Sequence, residues 1–540
     1  MLNQKYGVVY TPDSLADFVA VLLRKFSDIN SEDNALILDP ASGECSLLRA
    51  AKKVFGESNQ YIGIDIDEKV TNRIDNEFKI IHNDAILPRN VKKETEIYWG
   101  EKLHGIDAII ANPPWSSEKV YSRQKLLDAG FSLISGQYDS YVLFLELGYK
   151  ILRQGGTMAF IIPDSLFDAQ NERLRWFLTK NMQIKVIARL GEKIFNEVNR
   201  ATTVIVCTKK LPDDKSLTEC FRLSTDDRKA YLSGTNTLES FYRKKVHFVK
   251  QSRFASNGSC NFDIDTHENE ENLLKKIFSK RIEWDKEFVF GRGVEISKSG
   301  NVVYCSYCGM AQGFTKKHLS KGSKKCIYCD REISINDEMV DSLIVNKKEK
   351  GTVAIFVGEN VQRYSLRGKC YIKPDIQGIN YKNPELYDPP KLLIRKTGLG
   401  ICGAIDYNGT YTSQTVYILK YAEKSDIPLE YYLALINSRV VYYYYLKVYG
   451  ENEWKSHPYL TKKIIFSLPI RPYEGSDIDK EIIDLAKKLM KKYDRVLDLK
   501  LELLIMKKYG LNIKDKRLIL EEMNRLPNLN AINNMKMEES

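Results

Sequence analysis

Asn112, Pro113, Pro114 and Trp115 stand together directly after a short apolar run, in the stretch IIANPPWSS at residues 109–117. Proline has no N–H to donate and a fixed φ. The backbone here therefore offers carbonyls, and that of Pro113 is stiffly aimed. The Asn112 side-chain oxygen is a second acceptor. Two convergent acceptors suit a primary amine with its two N–H donors. Trp115 adds a flat face on which a planar ring can stack. The four residues are shaped for an exocyclic amine on an aromatic heterocycle.

Upstream, LILDPASGEC (36–45) reads as a strand ending in Asp39, then a small-residue turn through Pro40, Ala41 and Gly43, then a helix. YIGIDID (61–67) ends in Asp65 and Asp67, and IIHND (80–84) in Asp84. In open α/β sheets, ligands bind beyond the carboxyl ends of the strands. Three successive strand ends bearing carboxylates would repel a phosphate. They suit a ligand with several donors and a positive charge. S-adenosylmethionine, with an ammonium, a sulfonium, a ribose diol and an adenine amine, fits. NAD fits worse, because no G-x-G-x-x-G is present.

The elements that must position these residues alternate over the first 210 positions. Strands are expected at 35–39, 61–66, 79–84, 106–112, 156–163, 184–190 and 202–209, all short and β-branched. Their hydrophobicity is mostly continuous, which means burial on both faces, as in a parallel sheet flanked by helices. Helices are expected at 46–56 and at 140–156, the second stopping at Gly155-Gly156. This alternation predicts a doubly wound, Rossmann-like α/β domain. LPDDKS (211–216) reads as a connector, and irregular β-rich segments follow. From about 476 the chain turns helical, with Ile482, Leu485, Leu489, Tyr493 and Val496 at three- and four-residue spacing. The tyrosine run at 440–450 reads as an amphipathic helix packed on its own domain, and the last dozen residues as frayed.

Composition sets the outer bounds. A chain of 540 residues, 43% hydrophobic and 28% charged, is an ordinary globular protein of several domains. No apolar run reaches the about 18–20 residues of a membrane helix. The N-terminus has no secretory pattern, so a cytoplasmic protein with no membrane partner is expected. The net charge of +11 permits a polyanionic partner without demanding one. Six of the ten cysteines are scattered and read as reduced thiols. The other four, Cys305, Cys308, Cys326 and Cys329, form C-x2-C-x17-C-x2-C, a structural zinc signature with no open coordination position. Between residues 298 and 329 there are six lysines and no acidic residue, which suits contact with DNA phosphates.

NPPW after a strand, downstream of DPASGEC, resembles the amino-group methyltransferases that use S-adenosylmethionine. The motif order is similar to that of the gamma class of N6-adenine DNA methyltransferases. VVYTP (8–12) looks like their N-terminal cofactor motif, with Thr11 as helix N-cap and Pro12 at the first helical position. GEKIFNEVNRATTVIVCTKK (191–210) resembles the later motif in which a phenylalanine, here Phe195, packs on the target base. The resemblance covers about residues 6–210. More loosely, KLLIRKTGLG (391–400) and 433–470 resemble the family's target-recognition elements. One departure is Cys45, which stands where the family has a second glycine.

The resemblance implies a methyltransferase domain at 1–245, a mixed α+β target-recognition domain at 246–475 with a zinc ribbon at about 300–335, and a helical segment at 476–540. It implies that Thr11, Pro12, Asp39, Pro40, Ala41, Gly43, Asp65, Asp84 and Asn112 surround the cofactor. Asp65 holds its ribose and Asp84 its adenine amine. Asn112, Pro113, Pro114 and Trp115 form the catalytic segment, and Trp115 and Phe195 sandwich the flipped-out base. Double-stranded DNA is the implied partner, with a separately encoded restriction endonuclease as a further one. A methyltransferase of RNA or of a protein glutamine amide shares the Asn-Pro-Pro-aromatic logic. The early cofactor motif and the C-terminal half of some 300 residues weigh against it. A fused restriction-modification enzyme, with a nuclease module ahead of the methyltransferase, is not expected, because the cofactor motif begins by residue 8.

Overall fold

The computed structural model describes residues 11–68, 77–88, 105–115, 121–134, 138–195, 200–257, 260–296, 300–449, 460–526, 530 and 532–536. Residues 8–10 of the VVYTP stretch and 196–199 of the Phe195 motif lie outside them. The chain divides into two compact units, residues 1–268 with 447–455, and residues 269–446 with 456–540.

The first unit is built on nine strands: β1 (Leu36–Asp39), β2 (Gln60–Asp65), β3 (Lys79–His82), β4 (Ile106–Ala111), β5 (Leu152–Pro163), β6 (Gln183–Gly191), β7 (Thr202–Thr208), β8 (Leu217–Arg222) and β9 (His247–Lys250). Their order in the sheet is β3-β2-β1-β4-β5-β7-β6-β8-β9. From β3 to β5 all pairings are parallel. The chain runs outward from β1 to β3, then returns to lay β4 against the other side of β1. That reversal leaves a crevice at the carboxyl ends of β1 and β4.

Neighbouring residues of one strand enter opposite cores. Ile37, Ile110, Ile161 and Val204 pack with Leu15, Val19 and Leu22 of the helix Asp13–Phe26. Leu38, Ile109, Phe160 and Ile205 pack with Leu143 and Leu147 of the helix Tyr141–Ile151. Burial on both faces is why these strands read as continuous apolar runs rather than as alternating ones.

Two expectations need correction. The sheet is mixed: β7 is antiparallel to both β5 and β6, and β9 to β8. β6 and β7 follow one another in the chain and lie side by side in the sheet, and a pair joined by so short a return is antiparallel. The helix expected at 140–156 ends at Ile151, and Leu152–Pro163 is already strand. Gly155 and Gly156 lie inside that strand. A Cβ on Gly156 would meet the Asp107 and Ile106 carbonyls at 3.0 Å, so the glycine admits a close strand approach and stops no helix. Past residue 245, β9 extends the sheet, and Phe254, Phe262 and Ile264 join its core. The described residues of the helical segment 476–540 pack within the second unit. There Asp498 receives both Arg363 (2.8 Å) and Arg439 (2.9 Å), all three buried.

In the second unit Phe288–Arg292, Val416–Tyr421, Lys391–Arg395 and Gly403–Asp406 form an antiparallel sheet. The tyrosine run is the helix Arg439–Tyr449, with Tyr442, Tyr443, Tyr444 and Tyr445 buried. The C-terminal pattern divides into Asp477–Lys491 and Arg495–Lys508, the first opened by a Ser476 capping box and the second by Asp494. The break leaves Val496 74% exposed, off the core stripe its spacing predicted. The tail is not frayed throughout: Met535 is buried and its carbonyl accepts from Arg439 Nε at 2.9 Å.

Candidate cofactor cavity and substrate turn

A cavity of about 970 Å³, counted to its open mouth, lies at the carboxyl ends of β1–β4. Thr11, Asp39, Pro40, Ala41, Gly43, Asp65, Asp84 and Asn112 line it together, though they come from four strand ends and one helix start. Pro12, Pro113, Trp115 and Phe195 do not line it. Sequence reasoning missed Ser42, Glu44, Tyr121, Ser140 and Phe144, which do. Ser42 and Glu44 lie within the DPASGEC turn and could have been named with it, whereas Tyr121, Ser140 and Phe144 stand in no motif and carried no local signal.

The turn after β1 is held by β2. The Gly43 N–H donates to Asp65 Oδ2 at 2.8 Å, and the Asp67 N–H to Asp65 Oδ1 at 2.9 Å. Gly43 is left-handed at φ 48°. So is Cys45, at φ 62°, in the position where a second glycine was expected. The fold keeps the glycine geometry there without glycine, at a cost of about 1–2 kcal/mol. Burial pushes the Asp39 carboxyl up to about 8, opposed by the Ala41 N–H and reinforced by Asp65. Burial also raises Asp65. Asp84 Oδ1 accepts the Ile86 and Leu87 N–H groups (2.8 and 3.1 Å) and the Tyr121 hydroxyl at 3.0 Å. A ligand bearing positive charge and several donors relieves such a concentration of partly desolvated carboxyls. The donor set therefore fits S-adenosylmethionine.

The start of the first helix and the turn 112–115 meet at Thr11. Its N-cap role goes instead to Pro12, with the helix beginning at Asp13. The Thr11 hydroxyl accepts from Asn112 Nδ2 at 3.1 Å. That bond turns Asn112 Oδ1 away from Thr11. Among the described residues, none donates to the Pro113 carbonyl. The carbonyls on either side of the next peptide are held: Pro114 by Ser140 Oγ and Trp115 by Arg200 Nη1 at 2.7 Å. The two rings expected to sandwich a base touch each other instead. Trp115 and Phe195, 7% and 3% exposed, meet edge to face at 5.3 Å and 90°. A base entering between them requires the pair to separate.

In the second unit, each C-x-x-C is the turn of a β-hairpin, Asn301–Tyr304 with Ala311–Gly313 and Ser323–Lys325 with Glu332–Ser334. The residue after each pair, Gly309 and Asp330, is left-handed. The Tyr307 and Tyr328 N–H groups each donate to the first sulfur of their pair at 3.4 Å. All four Sγ atoms lie within 4.8 Å of one another, with Cys305–Cys329 at 3.6 Å and Cys308–Cys326 at 3.7 Å. Tetrahedral zinc with Zn–S of about 2.3 Å needs sulfurs about 3.8 Å apart, so the cluster fits that ion. The lysine-rich stretch is less bare than its sequence implied: Lys325 pairs with Asp330 at 2.7 Å and Lys321 approaches Glu332 at 3.9 Å.

The sheet order and the cavity place the first unit among open α/β folds that bind a ligand at the topological switch. Residues 25–195 match the model described as Eco57I restriction-modification methylase. Residues 353–470 match the TaqI-like C-terminal specificity domain. Residues 25–195 are thus similar to a restriction-modification methylase and residues 353–470 to a specificity domain. It is 28% identical over 193 residues to the uncharacterized protein YtxK of Bacillus subtilis, covering 34% of this chain and 54% of that one. It is 24% identical over 200 residues to the type II methyltransferase M.TthHB8I of Thermus thermophilus, covering 35% and 42%. The chain thus spans about half the length of these curated relatives or less. Among solved structures, a nuclease-deletion mutant of the Type ISP restriction-modification enzyme LlaGI, in complex with a DNA substrate mimic, shares the fold. Its TM-score is 0.51 at 14% identity, over 90% of this chain and 47% of that one. Among the described residues, no helix is long and apolar enough to cross a membrane.

Proposed function

We propose that this chain methylates the N6 amine of an adenine flipped out of duplex DNA, at a specific site, as the modification activity of a restriction-modification or phage-defence system. The observation that carries the reading is the Thr11–Asn112 bond, which joins the substrate turn to the rim of the carboxylate-lined cavity. S-adenosylmethionine bound there supplies the methyl group. Asp39 and Asp65 face its positive charge and ribose, and Asp84 its adenine amine. Asn112 Oδ1 and the Pro113 carbonyl accept the two N6 hydrogens. They favour a pyramidal nitrogen and stabilise the positive charge that grows on it. The turn needs no nucleophile or general base of its own; it contributes position and preorganised acceptors. Trp115 and Phe195 part to receive the base, whose stacking offsets some of the few kcal/mol that flipping costs. The second unit reads the DNA sequence, with zinc at Cys305, Cys308, Cys326 and Cys329 as a closed structural site.

Methylation-sensitive long-read sequencing of DNA from cells expressing the chain tests the reading. A modified adenine in one consistent sequence context is expected. Unmodified DNA together with methylated RNA or glutamine overturns it. Asn112→Ala is expected to cut methyl transfer by about 100-fold or more while DNA affinity, measured by fluorescence anisotropy, holds. Parallel loss of binding and activity removes Asn112 from the catalytic role.

A further inference from the structure

The turn 112–115 leaves β4 with two residues that lack an N–H, so the backbone can be anchored chiefly through its carbonyls. Two segments supply donors to those carbonyls, and a third supplies an acceptor for the Trp115 side chain. Ser140 stands at the N-cap of the helix Tyr141–Ile151, yet its hydroxyl makes no capping bond and donates to the Pro114 carbonyl. The indole N–H of Trp115 reaches the Ile161 carbonyl of β5 at 3.4 Å. Arg200, just before β7, donates Nη1 to the Trp115 carbonyl at 2.7 Å. Its Nη2 meets Asp139 Oδ2 at 2.5 Å, and the same oxygen accepts the Ser165 hydroxyl at 2.9 Å. Asp139 is buried, while the Arg200 side chain keeps about a third of its surface exposed, at 35%.

We propose that Arg200, oriented by Asp139, is a positioning residue for methyl transfer. It clamps the backbone of Trp115 and so holds the acceptors of Asn112 and Pro113 in register with the cofactor cavity. This rests on the methyltransferase reading above. The physical case is geometric. Only a planar fork can serve a carbonyl and a carboxylate at once in fixed directions. Arg200 also follows Phe195 by five residues on the segment entering β7. One side chain thus ties the backbone under Trp115 to the segment that carries Phe195. The rings can part for a base without the turn losing its place.

The test uses the full chain with S-adenosylmethionine and an unmethylated duplex carrying the sequence in which the modified adenine is found. Arg200→Met and Asp139→Asn are each expected to lower the single-turnover rate about 10- to 100-fold, the scale of a small misplacement of reacting groups. The affinities for S-adenosylmethionine and DNA stay unchanged, and the double variant is no slower than the worse single one. Arg200→Lys, which keeps the charge and loses the fork, falls with Arg200→Met. Hydrogen exchange in the peptide spanning 106–115 is expected to quicken in Arg200→Met without any DNA. An equal loss of DNA affinity with a smaller salt slope, with Asp139→Asn fully active, overturns the proposal in favour of a phosphate contact. Unchanged exchange at 106–115 also overturns it. That measurement needs no methyl transfer, so it separates failure of the clamp from failure of the methyltransferase reading, which shows as a wild-type chain that methylates no DNA.

Discussion

At the scale of single residues, the chemistry concentrates on carboxyls held out of water. Asp39 is almost fully buried, and its pKa of about 8 in the free protein means that it keeps a proton at neutral pH. A positively charged cofactor favours the ionised form, so binding releases that proton. Affinity for S-adenosylmethionine is therefore expected to rise with pH below about 8, by up to about tenfold per unit for one linked proton. Calorimetry in buffers of different ionisation enthalpy measures the release directly. Stability of the free protein runs the other way. The folded pKa lies above the ordinary 3.8, so the folded state holds the proton more tightly and loses stability as pH rises from 3.8 towards 8. Asp39→Asn removes that loss, raising the melting temperature of the free protein near pH 8 while weakening cofactor binding. An unchanged pH profile of affinity in the wild type counts against Asp39 as a cofactor-facing charge. Cys45 teaches the complementary lesson: the left-handed geometry belongs to the turn, and the residue type follows it only by preference.

At the scale of elements, the two cysteine hairpins illustrate how a short sequence becomes a site. Each hairpin closes on a C-x-x-C followed by a left-handed residue, and backbone N–H groups already point at the first sulfur. Four thiolates brought so close repel one another without a cation, so metal and folding are coupled. One zinc per chain is expected by plasma mass spectrometry. Its removal by a chelator, or Cys305→Ser with Cys326→Ser, should make 300–342 protease-sensitive and weaken DNA binding, leaving cofactor affinity intact. A metal-free chain that is equally protease-resistant excludes the zinc role. The elements also mark where periodicity misled. The apolar stripe expected to continue through Val496 was cut at Lys492–Asp494, where Asp494 caps a new helix. Gly155-Gly156 was expected to stop a helix and instead lets two strands approach.

At the scale of the molecule there are two compact units, one holding the cavity and the turn, the other the cysteine cluster and the stretch similar to a specificity domain. The net charge of +11 is spread thinly, and some lysines of the cysteine module are paired with nearby carboxylates. DNA affinity should nevertheless fall by at least about tenfold between 50 and 200 mM salt through phosphate neutralisation. Affinity for S-adenosylmethionine, read in the same titration series, should barely move. A flat salt dependence for DNA excludes a phosphate-tracking interface.

The sequence by itself determined the local chemistry: the acceptor-rich turn at Asn112–Trp115, the carboxylates at three strand ends, the zinc-ligand spacing and the doubly covered strands. These are legible because residue type and short-range spacing set them. Tertiary structure decided which of them meet. Thr11 serves Asn112 rather than its own helix, Tyr121 and Ser140 enter the cavity wall, Trp115 rests on Phe195, and Arg200 grips the turn from 85 residues away in the chain. It also decided the antiparallel return of β7. Such contacts depend on how the sheet closes and which loops its edge brings together, and no window of sequence contains both partners.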